Sequence, residues 1–191
     1  YVDAANPPTY ASGASLQYNT GGTYGRYDEW KSTSGAGYPY HVQLSNNTTL
    51  NLGNGGTGTA RQIAGNLLID DGSTLSMNIS GAEMTAALTV NGDVTIGNSG
   101  TASLVLSSAI GGDLFVKGNF SRNASSLLSA NSRRVSFNGS TAQQITGATT
   151  FDYFTLNNSA GLTLNNAIQI NNELDLSNGK MTIGNNQVSL N

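Results

Sequence analysis

One short block returns along the chain at a nearly fixed interval. It reads Ile63-Ala-Gly-Asn66-Leu67, Val90-Asn-Gly-Asp93-Val94, Val116-Lys-Gly-Asn119-Phe120 and Ile170-Asn-Asn-Glu173-Leu174. The first three starts are spaced by about 27 residues, a period of the size that stacked repeats use. The last gap, from Val116 to Ile170, is twice that period. One copy is therefore skipped, near Gln143 in the stretch AQQITG, where Ile145 keeps the apolar position. With such a period each repeat stacks on its neighbours and buries an apolar face it cannot bury alone.

Between the blocks lie short alternating runs such as Leu75-Ser-Met77, Leu104-Val-Leu106, Val135-Ser-Phe137 and Leu162-Thr-Leu164. Period-two alternation turns one set of side chains inward and leaves the other outward. Clusters of Gly, Asn, Asp and Ser separate the runs, as turns require. Helical spacing is nowhere sustained; Gly81 to Ala87 offers one short turn at most. These features predict an all-β chain, a single right-handed parallel β-helix spanning 1–191. Each coil takes about 27 residues, the length of one repeat. Ile63, Val90, Val116 and Ile170 form one inward column in this scheme. Short strands with frequent turns also fit a β-sandwich, which lacks a reason for the fixed period.

A longer repeat lies over the coil period. Val42 to Leu52 aligns without gaps on Phe154 to Leu164, and Leu16-Gln-Tyr18-Asn19 matches Val135-Ser-Phe137-Asn138. The first copy is about seven residues longer between these anchors, and the surplus falls between Tyr24 and Gly37. In a solenoid of fixed cross-section, surplus residues leave the coil as a loop.

That surplus holds most of the chain's unusual chemistry. The region from Leu16 to Tyr40 carries the only Trp, five of the eight Tyr, and the cluster Arg26, Asp28, Glu29 and Lys31 in a chain that is 10% charged. Aromatic rings pack against the C–H faces of sugars, while charged and amide groups bind hydroxyls. Tyr24, Arg26, Tyr27, Asp28, Glu29, Trp30, Tyr38 and Tyr40 are therefore the candidate carbohydrate-binding residues. The competing reading is that the segment caps the open first coil.

Other chemistry finds less footing. A net charge of −3 argues against nucleic-acid binding, which needs a basic face. No apolar run approaches the length that crosses a bilayer, and the N-terminus does not read as a signal peptide, so the chain reads as a processed piece. The Asn66, Asp93, Asn119, Glu173 column invites comparison with calcium sites on solenoid lyases. Neutral Asn between the acids instead favours turn residues that satisfy backbone groups. Asp70-Asp71 reads as a solvated turn. His41 is the only His, and adjacent Asp28 and Glu29 are wrongly placed for the facing carboxylates of glycoside hydrolysis. Arg133-Arg134 has no acidic cluster in coil register to support a lyase. Outward Thr89, Thr95, Thr155, Thr163 and Thr182 fall on different sides, unlike an ice-binding array. We expect no metal and no cofactor.

The phrases SLQYNTGGTYGRYDEW, VSFNGSTAQQITG, FTLNNSAGLTL and NNELDLSNGKMTIGNNQVSL resemble the repeats of secreted Bacteroidetes β-solenoid proteins. That group includes surface adhesins and a xylan-binding carbohydrate-binding module of parallel β-helix fold. The resemblance implies a secreted or cell-surface, non-catalytic, monomeric module that binds a plant cell-wall polysaccharide and is attached to other domains. A structural adhesin or stalk segment is the alternative from another class, and a polysaccharide lyase the third.

Overall fold

The computed structural model describes residues 5–31 and 33–191. Nearly all of its strands pair in parallel, and three sheets carry them. Sheet A takes eight strands: Ser15–Tyr18, His41–Leu44, Leu67–Ile69, Val94–Ile96, Phe120–Arg122, Gln143–Thr146, Leu162–Leu164 and Met181–Thr182. Sheet B takes five, from Thr23–Gly25 through Thr49–Asn51, Thr74–Ser76 and Ser103–Val105 to Leu127–Ser129. Sheet C takes seven, beginning with Arg61–Ile63 and Leu88–Val90 and ending with Val188–Leu190. The chain visits the sheets in turn and pairs each strand with the one a coil earlier. This is consistent with a parallel β-helix, and a sandwich of antiparallel sheets is ruled out.

Alternation builds the core as expected. In sheet A, Val42, Leu67, Val94 and Phe120 stack in register and are buried, as are Leu44, Ile69 and Ile96 nearby on the same strands. Between them Gln43, Leu68, Thr95 and Ser121 form an outward row. Ile63, Val90 and Val116 stack in sheet C, as the block spacing predicts. The Gly81 region is a small antiparallel hairpin, Asn78–Ile79 against Ala82–Glu83, rather than a helical turn.

The corner from sheet C to sheet A explains the recurring block. Gly65, Gly92 and Gly118 stack directly, with Gly92 N–H donating to the Gly65 carbonyl (2.9 Å) and Gly118 N–H to the Gly92 carbonyl (3.0 Å). A Cβ at Gly92 would lie 2.7 Å from the Gly65 carbonyl carbon, and one at Gly118 2.4 Å from that of Gly92. Only glycine permits this approach. The next residue closes the corner: Asn66 Oδ1 accepts from Asp93 N–H (2.9 Å), Asp93 Oδ1 from Asn119 N–H (2.6 Å), and Asn119 Oδ1 from Gln144 N–H (2.9 Å). The column is thus a ladder of side-chain acceptors for backbone N–H groups. Glu173 is outside it and pairs instead with Arg134 at 2.9 Å.

The uniform coil does not hold. In the first half, sheet A pairs Leu67 with Val94 and Val94 with Phe120, close to the expected period. In the second half it pairs Gln143 with Leu162 and Leu162 with Met181, so each coil there is distinctly shorter. Sheet B stops at Leu127–Ser129, and the next coil runs as one nine-residue strand, Thr149–Asn157, within sheet C. Arg122 braces the change, donating to the Ser126 carbonyl at the last sheet B corner and to the Ala148 carbonyl one coil on. The column therefore continues from Val116 through Phe137 to Leu156, with Leu176 exposed at its end. Ile170 belongs to a neighbouring column with Phe151 and Leu190. Phe120, Phe137, Phe151 and Phe154 pack together where the cross-section changes, with centroids 5.1–6.2 Å apart.

This change of size also explains the surplus in the first copy. Leu16 pairs with Val42 across a three-sided coil whose third side carries a 3-10 turn in place of a sheet C strand, whereas Val135 pairs with Phe154 across a shorter, two-sheet coil. The surplus is the third side of an ordinary coil, not an inserted loop. The two copies also sit on different sheets, A for the first and C for the second.

Candidate functional site

The aromatic and charged segment follows Thr23–Gly25, where the first coil would otherwise enter sheet C. A single 3-10 turn, Asp28–Trp30, replaces the missing strand. Trp30 is fully buried, and its indole Nε1–H donates to the Gln62 carbonyl at 3.0 Å, beneath the first strand of sheet C. Arg26 is also buried and donates through Nε to the Leu52 carbonyl (2.8 Å) and through Nη1 to the Tyr27 carbonyl (3.1 Å). Arg61, at the start of sheet C, donates to the carbonyls of Lys31 (3.0 Å) and Gly56 (2.9 Å). Glu29 is buried and accepts through Oε1 from the Tyr18 hydroxyl (3.0 Å) and from Tyr27 N–H (2.9 Å). Its neighbour Asp28 pairs with Lys31 at 3.4 Å.

Trp30, Arg26 and Glu29 are thus corrected from ligand groups to parts of a cap. An aromatic face that is wholly buried offers nothing to a sugar ring, and the open end of sheet C must be covered. Polar groups serve here because the strand edge beneath them presents carbonyls that need donors. Burial, reinforced by the charge of Glu29, pushes the Tyr10 phenol up to about 12. The same causes raise that of Tyr18 well above the ordinary tyrosine value. Tyr10 donates to the Glu29 carbonyl at 2.8 Å, so it closes the cap from the other side.

The remaining expected residues scatter. Tyr24 is half-buried and touches Tyr18 and Tyr27 edge-on or tilted, with only Tyr27 well exposed. The Tyr38 hydroxyl accepts from Gln62 Nε2 (3.2 Å) and Asn91 Nδ2 (3.0 Å), which fixes it over sheet C. Tyr40 packs edge-on against His41, with centroids 4.7 Å apart.

A different surface is concave. An open groove of about 410 Å³ crosses the outer face of sheet A. Its floor is the outward row Gln43, Leu68 and Thr95, and one rim is His41, Asn66 and Asp93. The opposite side reaches Asn98, whose Nδ2 donates to Asp70 Oδ1 (2.9 Å), while Gln43 Nε2 donates to Asp70 Oδ2 (2.6 Å). Four successive strands contribute, so the groove runs about 14 Å along the coil axis at the usual strand spacing.

His41 heads the polar ladder: its Nδ1 accepts from Asn66 N–H at 2.9 Å. The groove was readable in the aligned starts His41-Val-Gln-Leu, Asn66-Leu-Leu-Ile and Asp93-Val-Thr-Ile, which place one outward residue between two inward ones. Asp71 sits just beyond, its carboxyl held below the ordinary range by hydrogen bonds from the 98–100 turn, that from Gly100 N–H foremost. Among the described residues no group of three His, Cys, Asp or Glu gathers as a metal site would require. Comparison with family models, with curated proteins and with solved structures found no match.

Proposed function

We propose that the chain is a non-catalytic, secreted solenoid module that binds a linear plant cell-wall polysaccharide, xylan-type, along the groove of sheet A. Its coils wind right-handed, the sense that parallel crossovers favour. The groove itself carries this reading: a half-buried apolar floor at Leu68, amide and hydroxyl groups at Gln43 and Thr95, and polar rims on both sides. Sugar C–H faces suit the floor, and hydroxyls suit the rims. Outward groups two coils apart lie about 9.6 Å from each other, close to the length of two sugar units in an extended chain. The xylan-type ligand is suggested by the resemblance of its repeat phrases to secreted Bacteroidetes β-solenoid proteins, a group that includes a xylan-binding module.

A stalk segment of a surface adhesin is the second reading. The observation that favours it is the ladder, because Asn66, Asp93 and Asn119 each hold the following coil and need no ligand to explain them. Titration of xylo-oligosaccharides separates the two. Leu68→Glu places a charge on the groove floor without touching the inward columns. We expect binding to weaken at least tenfold with little change in melting temperature. Absence of binding by the unaltered chain to any glycan of an array supports the stalk.

A further inference from the structure

We infer that the groove selects uncharged glycans over uronic-acid polymers, with Asp93 as the residue that discriminates. This rests on the groove being a glycan site. The polar groups along its ladder rim differ in what they have left to offer. His41 Nδ1 accepts from Asn66 N–H, which leaves Nε2 as the ring's donor. Asp93 commits Oδ1 to Asn119 N–H, and its other carboxylate oxygen keeps its acceptor capacity. Donor and acceptor stand two coils apart on one rim, as alternating hydroxyls of an extended sugar chain would meet them.

The charge at Asp93 is not required by the fold. Asn66 and Asn119 perform the same backbone-accepting task one coil to either side with neutral amides. A carboxylate at this rung therefore adds a negative charge where the ladder needs only an oxygen. Asp70, reached through Gln43 and Asn98, adds a second negative charge beyond the floor. Among the described residues that line the groove there is no Lys or Arg to pair with a ligand carboxylate. A polymer bearing one carboxylate per sugar meets like charge at short range, whereas an uncharged xylan or β-glucan chain meets only hydrogen-bonding groups.

The test compares a linear xylo-oligosaccharide with an oligogalacturonate of equal length, by calorimetric titration at low and at moderate salt. The unaltered chain is expected to bind the neutral oligomer at least tenfold more tightly, with the gap narrowing as salt rises. Asp93→Asn retains the Oδ1 acceptor of the ladder, so the variant is expected to melt with the unaltered chain. Its preference for the neutral oligomer should fall about fivefold or more. Equal or tighter binding of the uronate by the unaltered chain overturns the inference, as does a preference that Asp93→Asn leaves intact. Failure of both oligomers to bind overturns the glycan-site reading itself, and the inference with it.

Discussion

Trp30 is the residue on which two accounts of this chain diverge. As an exposed platform it would be dispensable to folding; as a buried cap it is not. Its indole fills the end of sheet C and donates to Gln62, so Trp30→Ala should destabilise by about 3–5 kcal/mol, as truncation of a buried aromatic does. Denaturant titration of the variant measures this directly, and an unchanged midpoint would return Trp30 to the surface. The tyrosines around it carry a pH signature. Tyr10 and Tyr18 have folded-state phenols raised above the unfolded value of about 10, by burial first and by Glu29 next. The folded chain thus holds their protons more tightly than the unfolded chain. That stability is complete below about pH 10 and is lost as pH rises through the folded values, near 12 for Tyr10. Melting temperature should therefore hold level to about pH 10 and fall above it, with a shallower fall in Tyr10→Phe. The sequence announced this cluster by its composition. It did not reveal burial, because Tyr, Trp, Arg and Glu serve a sugar and a sheet edge with the same functional groups.

The repeating corner is the element that was easiest to read. The φ-x-Gly-Asn/Asp-φ spacing marked the acceptor ladder through Asn66, Asp93 and Asn119, while the close stacking of Gly65, Gly92 and Gly118 beside it emerged only from the structure. Gly92→Ala would push a methyl within 2.2 Å of Asn66 Oδ1 as well as against Gly65. We expect a loss of about 1–3 kcal/mol. Gly22→Ala serves as the control, since its added carbon meets no atom within 4 Å. Thermal melts of the two variants should differ clearly, and equal melts would mean that the corner glycines are not in contact. The same signal faded after Asn119, where Gln143 takes an inward position. Its Nε2 donates to the Val116 carbonyl at 3.0 Å, and its Oε1 accepts from Asn158 at 2.9 Å. A buried glutamine with polar partners does not look like a core residue in a sequence, which is why the block is skipped at this coil.

At the scale of the molecule, the parallel coiled topology was legible and the taper was not. Register in a parallel stack depends on which strands lie side by side, and the repeat survives the loss of one side of the coil. Val135-Ser-Phe137 thus matched Leu16-Gln-Tyr18 although they occupy different sheets. With a constant cross-section, the wider first coil reads as carrying a surplus loop between Tyr24 and Gly37, and its aromatic residues read as exposed. Once the taper is recognised, the aromatic segment becomes the cap and the broad three-sheet half carries the groove. The most direct measurement is amide and indole chemical-shift mapping of the isotope-labelled chain during titration with a xylo-oligosaccharide. Perturbations are expected at Gln43, Asn66, Leu68, Asp93 and Thr95, with the Trp30 indole N–H unmoved. A dominant shift of the Trp30 indole, with the sheet A amides silent, would contradict the groove as the binding site.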